Sequence, residues 1–421
     1  MEEAAQLYAS ARVIATRIGD PGLTVLALLG LSRLYRRMDK TEVAWDWADE
    51  ALTWARRVGY VHLEGMALLA RARAAWAGGD WEAAEKDLRR AITLMTPLHF
   101  KYHLALAWLL LAGVLLHSGQ EEDDAWAEAV DRIRRGRYHF LLEQERAIVL
   151  PLIARQMCHK APEHRTEACD VLRRLAATPP APLRIHTLGH FDVWQGPRRI
   201  PERAWSKRRA GVLFRLLLIS PQRSRTQEQI VEALWPGKDM AAAQPLLHQS
   251  TSALRRALEP DLPRQFPSRY LLVQDECITL RLPPGTWVEH EVFIDLVQRG
   301  AFEEALALYQ GELFSQYPYA DWAIWEQERL GQYYLRALLG ASEQALAANQ
   351  PERALQWARA ALEQEPWQEQ AVRLGMEACL VLGDRAGALR MYKDLEERLR
   401  AELGIGPGKQ LSEYYRQIVE G

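Results

Sequence analysis

Cysteine is scarce in this chain, at four in 421 residues. That is too few for a disulfide framework and fits a reducing compartment. No uncharged apolar run reaches the ~18 residues that a membrane-spanning helix needs. The apolar stretch from Leu104 to His117 reads instead as a buried core helix. Met1 is followed by Glu2 and Glu3, so the basic-then-apolar start of a secretory leader is missing. These absences predict a cytoplasmic protein with no membrane partner. Signatures of catalysis are missing too. There is no G-x-S-x-G elbow. "EHEVF" at 289–293 lacks the second His of a zincin, and Gly237-Lys238 and Gly408-Lys409 lack the upstream Gly of a phosphate-binding loop. Cys158, His159, His164 and Cys169 are metal-ligand types, but their C-H-x4-H-x4-C spacing matches no usual zinc pattern and reads as a helix-end cluster. The expectation is a non-enzyme without cofactor or metal.

What is present is an uneven charge. Residues 183–289 hold 16 Lys+Arg against 10 Asp+Glu, a net +6. Residues 1–182 are balanced, and 290–421 carry a net −8. A basic block between neutral and acidic flanks points to one domain that meets a polyanion, most commonly nucleic acid.

Both flanks are repetitive. Residues 1–175 carry apolar residues at helical spacing. "DKTEVAWDWADEALTWARR" from Asp39 and "DWEAAEKDLRRAITLM" from Asp80 align Ala44 with Ala84 and Ala51 with Ala91, a period of 40, and a weaker copy starts at Gln120. Downstream, "QPERALQWARAALEQEPW" from Gln350 and "DRAGALRMYKDLEERL" from Asp384 align Ala354 with Ala388, a step of 34, and a third version starts at Ala301. Such periods predict stacked helical hairpins of the tetratricopeptide (TPR) kind, whose usual work is binding. Trp residues such as Trp45, Trp81 and Trp357 sit at repeat positions and read as packing residues.

Between the arrays the texture changes. "TPPAP" at 178–182 stops the preceding helix. "LRIHTLGHFDVWQG" alternates like short strands. Helices are expected at 206–219, 227–235 (capped by Thr226) and 243–258, and "RYLLVQDECITLRL" reads as a hairpin turning at Gln274-Asp275-Glu276. Strands, three helices and a hairpin are the order of a winged helix with an added N-terminal sheet, and its third helix would enter the major groove. The core face of that helix is Leu247, Leu254 and Leu258, with Ser250 and Thr251 at its edges. The opposite face is Pro245, Gln249, Ser252 and Arg256, flanked by His248 and Ala253. Gln249 and Arg256 can reach bases, and Ser252 and Arg255 can reach phosphates. Lys207, Arg208 and Arg209 at the start of the first helix, together with Arg225, Thr226 and Arg269, are further candidates for the DNA backbone. The predicted fold is mainly α with a small α+β winged-helix domain and TPR-like arrays on both sides. The predicted domains are 1–178, 183–284 and 285–421.

"LGHFDV", "KRRAGVLFRLLLIS", "QEQIVEALWP", "HQSTSALRRALEP" and "RYLLV" follow in order the winged helix of the antibiotic regulatory protein (SARP-type) activators. "DWAIWEQERL" and the run from "ALEQEPW" to "SEYYRQI" resemble the bacterial transcriptional activator domain that follows in that family. The resemblance covers about 183–421. It implies a regulator that binds double-stranded promoter DNA at repeated sites and recruits RNA polymerase. The first array resembles, more loosely, the sensor repeats of maltose-activator-type ATP-dependent regulators. That implies a protein or small-molecule effector and a longer parent whose upstream nucleotide-binding domain is missing here. Self-association through the repeats is a further expectation. Two departures touch the third helix. Ala253 stands where the family usually has Arg, and Pro245 where it usually has no proline. They leave open an alternative: a TPR adaptor whose winged helix no longer reads DNA.

Overall fold

The computed structural model describes residues 2–263, 266–317 and 320–420, with the side chains of all of these but Glu2 and Arg208. The chain divides into two compact units, 1–178 with 261–266, and 179–260 with 267–421.

The described residues of 1–178 form ten helices: α1 Glu2–Ile18, α2 Pro21–Arg37, α3 Thr41–Val58, α4 Val61–Gly78, α5 Trp81–Met95, α6 Lys101–His117, α7 Asp123–Gly136, α8 Phe140–Gln144, α9 Arg146–Met157 and α10 Pro162–Ala177. The repeat alanines explain the stacking. Ala44 and Ala51 of α3 and Ala84 and Ala91 of α5 are fully buried, so neighbouring backbones approach where a larger side chain would hold them apart. Gly59 and Gly79, at φ 74° and 82°, close α3 and α4 in the left-handed conformation. From Leu104 to Leu115 every residue of α6 but Trp108 is buried, as an all-round apolar helix requires. Arg71 of α4 bridges Asp49 of α3 (2.5 Å) and Asp87 of α5 (2.7 Å). No described helix is long and apolar enough to cross a membrane.

The second unit opens with β1 Leu183–His186, β2 Asp192–Gln195 and β3 Arg198–Arg199. α11 Glu202–Ser206, a 3-10 turn at Lys207–Arg209, α12 Ala210–Ile219, β4 Ser224–Thr226, α13 Gln227–Leu234 and α14 Met240–Leu258 follow. After β5 Leu271–Gln274, β6 Cys277–Leu280 and β7 Trp287–Val288 the chain is helical again: α15 Glu289–Gln298, α16 Phe302–Leu308, α17 Asp321–Ala347, α18 Pro351–Gln364, α19 Glu369–Val381, α20 Arg385–Leu403 and α21 Lys409–Glu420. One sheet has the order β3-β2-β1-β7, with β1 and β7 parallel, and the other has the order β4-β6-β5. A mainly α fold with a small α+β part is therefore what the chain adopts.

Two expectations need correction. The first helix of the winged helix does not run unbroken from 206. Arg209 takes a left-handed backbone (φ 58°), and α12 begins at Ala210. The third helix begins earlier than 243, because Asp239 caps it by accepting the N–H of Ala242 at 2.7 Å. Pro245 therefore lies inside α14 and not in its first turn. One apolar cluster runs from Leu183 to Ala337.

The seam inside that cluster is specific. Leu188 and Leu313 form an antiparallel bridge, Gly189 N–H donates to the Glu312 carbonyl at 3.0 Å, and Ser315 Oγ donates to the Gly189 carbonyl at 2.6 Å. A Cβ on Gly189 would meet the Gln310 carbonyl oxygen at 2.7 Å, so the close approach requires glycine.

Candidate nucleic-acid interface

α14 presents the predicted polar face. Pro245, His248, Gln249, Ser252 and Arg256 are exposed, and Gln244 joins them. The other side is core: Leu247, Ser250, Leu254, Ala257 and Leu258 are buried. Ala253 belongs with these, at 4% exposure, and not on the groove-facing flank. Ser250 and Thr251 direct their hydroxyls to carbonyls of their own helix, at 2.9 and 3.0 Å. Arg255 is half-buried, and burial lowers its pKa while Glu259 opposes the shift. It lies beside the open face and not on it.

The elements around α14 account for the other candidates. Thr226 forms a capping box on α13. Its hydroxyl accepts the Gln229 N–H, and its own N–H donates to Gln229 Oε1, both at 3.2 Å. Arg225 donates from Nε to Ser220 Oγ at 2.9 Å. Arg209 donates to the Leu234 carbonyl, and its guanidinium lies 5.8 Å from the Trp235 ring centre. Lys207 is exposed. The Arg208 side chain lies outside the described residues.

Arg269 already has a carboxylate partner. Its Nε lies 3.4 Å from Glu259 Oε1, and its backbone N–H donates to Glu259 Oε2 at 3.0 Å. Ser268 Oγ donates to the same Oε2 at 2.5 Å. The Glu259 side chain is only 4% exposed, so this group ties the base of the hairpin to the end of α14. The hairpin turns through Asp275 and Glu276, both left-handed (φ 49° and 60°), as a two-residue turn requires. Its tip is therefore acidic, which suits phosphate poorly.

Sequence reasoning missed the burial of Arg215 and His290. Arg215 of α12 is 4% exposed. Its guanidinium lies 3.6 Å from the Phe191 ring centre and 5.1 Å from that of Tyr317, and Nη2 donates to Gln316 Oε1 at 3.2 Å. Burial pulls its pKa down to about 10. His290 is 2% exposed, next to the Thr187 hydroxyl at 3.1 Å. Burial, with Arg329 and Arg223 nearby, pulls its pKa down to about 3. An apolar helix with one arginine was the signal for the first. Nothing local marks the second.

The metal-ligand types in the first unit come together differently from their spacing. Asp123, His159 and His164 cluster, without either cysteine of the run. Hydrogen bonds account for the group: His159 Nε2 lies 3.3 Å from Asp123 Oδ2, and His159 Nδ1 accepts the Ala161 N–H at 3.1 Å. His164 Nδ1 meets Gln156 Oε1 at 2.8 Å. A metal on His159 Nε2 would need the proton moved to Nδ1, where Ala161 already donates.

Residues 297–419 match the bacterial transcriptional activator domain. The chain is 26% identical over 265 residues to regulatory protein AfsR of Streptomyces griseus, an alignment that takes 62% of this chain and 26% of that one. It is 25% identical over 244 residues to AfsR of Streptomyces coelicolor, taking 56% and 24%. The chain thus spans about a quarter of the length of these relatives. Among solved structures, Mycobacterium tuberculosis EmbR in complex with a low-affinity phosphopeptide aligns at TM-score 0.46 and 18% identity, over 57% of this chain and 65% of that one. The TPR domain of P58(IPK) aligns at TM-score 0.21 and 13% identity, over 94% and 98%. The match at 297–419 to the bacterial transcriptional activator domain thus follows the winged-helix part of the chain, and the sequence is similar over more than half its length to regulatory protein AfsR.

Proposed function

We propose that the protein is a cytoplasmic, non-enzymatic transcription activator that binds duplex promoter DNA through 183–284. In this reading α14 enters the major groove. Gln249 and Arg256 read base edges, and His248 and Ser252 support them. Lys207, Arg208, Arg209 and Arg225 would contact phosphates, and Thr226 and Arg255 hold the surrounding backbone and helix end. Residues 285–421 serve self-association or contact with RNA polymerase, and 1–178 respond to an effector. The observation that carries the reading is the open face of α14, polar from Gln244 to Arg256 and broken only by Pro245, in the basic stretch directly before the activator domain.

The test is binding of the full chain to the DNA upstream of its own gene and to a scrambled duplex, across a salt series, with Arg256→Ala alongside. The expected result is steeply salt-dependent binding that prefers the upstream DNA, a preference that Arg256→Ala reduces. One observation favours the adaptor reading: the acidic hairpin tip at Asp275 and Glu276. Weak, equal binding to both duplexes would support it.

A further inference from the structure

α2, α4 and α6 of the first unit, with Tyr8 of α1, line a cavity of about 290 Å³. Its apolar wall includes Leu29, Met66, Leu69 and Leu106, and three arginines, Arg33, Arg36 and Arg73, converge on it. Arg73 is ion-paired with Glu145, itself only 9% exposed. Among the described residues no carboxylate lies within ion-pair distance of Arg33 or Arg36. Arg33 reaches only the Tyr8 hydroxyl, at 3.5 Å. Burial and the repulsion of Arg73 pull the Arg36 pKa down to about 10, with Glu145 opposing and Arg37 and Arg33 adding to the fall. His103 also lines the cavity, and burial lowers its pKa, so it adds no charge at neutral pH. The space therefore combines an apolar wall with two spare positive charges. A half-buried cation repelled by its neighbours is costly until an anion meets it.

We propose that this cavity binds a small apolar acid, a carboxylate or phosphate ester on a hydrocarbon body. The acid group sits between Arg33 and Arg36, and the body lies against Met66, Leu69 and Leu106. Apolar walls with a few converging polar groups are the usual make-up of small-ligand sites. The site lies wholly within the first unit and stands whether or not the second reads DNA.

The test is titration calorimetry of the full chain with octanoate and with octyl phosphate, using octan-1-ol and octylammonium as controls. Saturable binding of either acid, at least about tenfold tighter than octan-1-ol, is expected, since a charge-assisted hydrogen bond adds that much. The stronger acid identifies the headgroup. Arg36→Gln weakens that binding by about tenfold or more. Arg33→Glu is at an exposed position and is expected to fold whatever Arg36→Gln does, and it weakens binding likewise. No saturable heat with either acid, equal binding of octan-1-ol or octylammonium, or an affinity unchanged in the folded variants would overturn the proposal.

Discussion

Glu289 Oε2 accepts the backbone N–H of Thr187 at 2.7 Å, across 102 residues of chain. The same oxygen accepts the Leu188 N–H at 2.8 Å, and Oε1 lies 3.0 Å from His186 Nδ1. One buried carboxylate at the start of α15 thus satisfies the end of β1, where the sheet ladder stops.

Glu289→Ala leaves two buried N–H groups unmet and should cost about 3 kcal/mol of stability. Urea denaturation of the full chain, followed on the transition that reports the second unit, checks this. A loss under about 0.5 kcal/mol, the range of ordinary surface substitutions, would refute the account.

His290, beside it, sets a pH dependence. Its pKa is about 3 in the folded chain because it is buried and faces Arg329 and Arg223, against an ordinary histidine value of 6.5. Between those values the unfolded chain binds the extra proton, so this residue's contribution makes stability fall on acidification, by about 1.4 kcal/mol per pH unit well below 6.5. Denaturation at pH 7.0, 6.0 and 5.0 (about where carboxylates begin to titrate) should show that fall. His290→Gln should flatten it by one proton's worth.

Arg215 holds its guanidinium against Phe191 and Tyr317. Arg215→Ala loses that stacking and leaves a void, and should cost about 3 kcal/mol. Arg215→Met keeps most of the volume and removes the buried charge, so its cost should be under about 1.5 kcal/mol. Equal losses in the two variants would show that packing volume is not what matters there.

On the DNA side the substitutions separate by role. Arg256→Ala and Gln249→Ala should each cost about 1–3 kcal/mol of preference for the upstream duplex. Lys207→Ala should weaken both duplexes alike and reduce the salt slope by about 1. Arg269→Ala should instead lower thermal stability, because its partner is Glu259. A changed salt slope for Arg269→Ala with an unchanged melting temperature would mark it as a phosphate ligand.

Pro245 lacks the N–H that would meet the Ala241 carbonyl inside α14. Pro245→Ala, at an exposed position, should raise stability by about 1–3 kcal/mol. A thermal melt decides it, and a lower melting temperature would mean that the ring's rigidity outweighs the lost bond.

What the sequence by itself determined is whatever repeats or alternates locally. The alanines at 44, 51, 84 and 91 specify close helix stacking because the same spacing returns each time. The open face of α14 follows from 100° per residue, and the Thr226 cap follows from one hydroxyl three residues before Gln229. Tertiary structure decided the rest, because the partners lie far apart or on another element. Arg269 looks like any basic residue before a hairpin until Glu259 is seen to meet it. Ala253 is placed by the core that packs over α14 and not by its own helix. Glu289 finds Thr187, and Arg33 and Arg36 converge with Arg73, only when the fold has brought separate elements together. Contacts of that kind have no period, so no pattern along the chain foretells them.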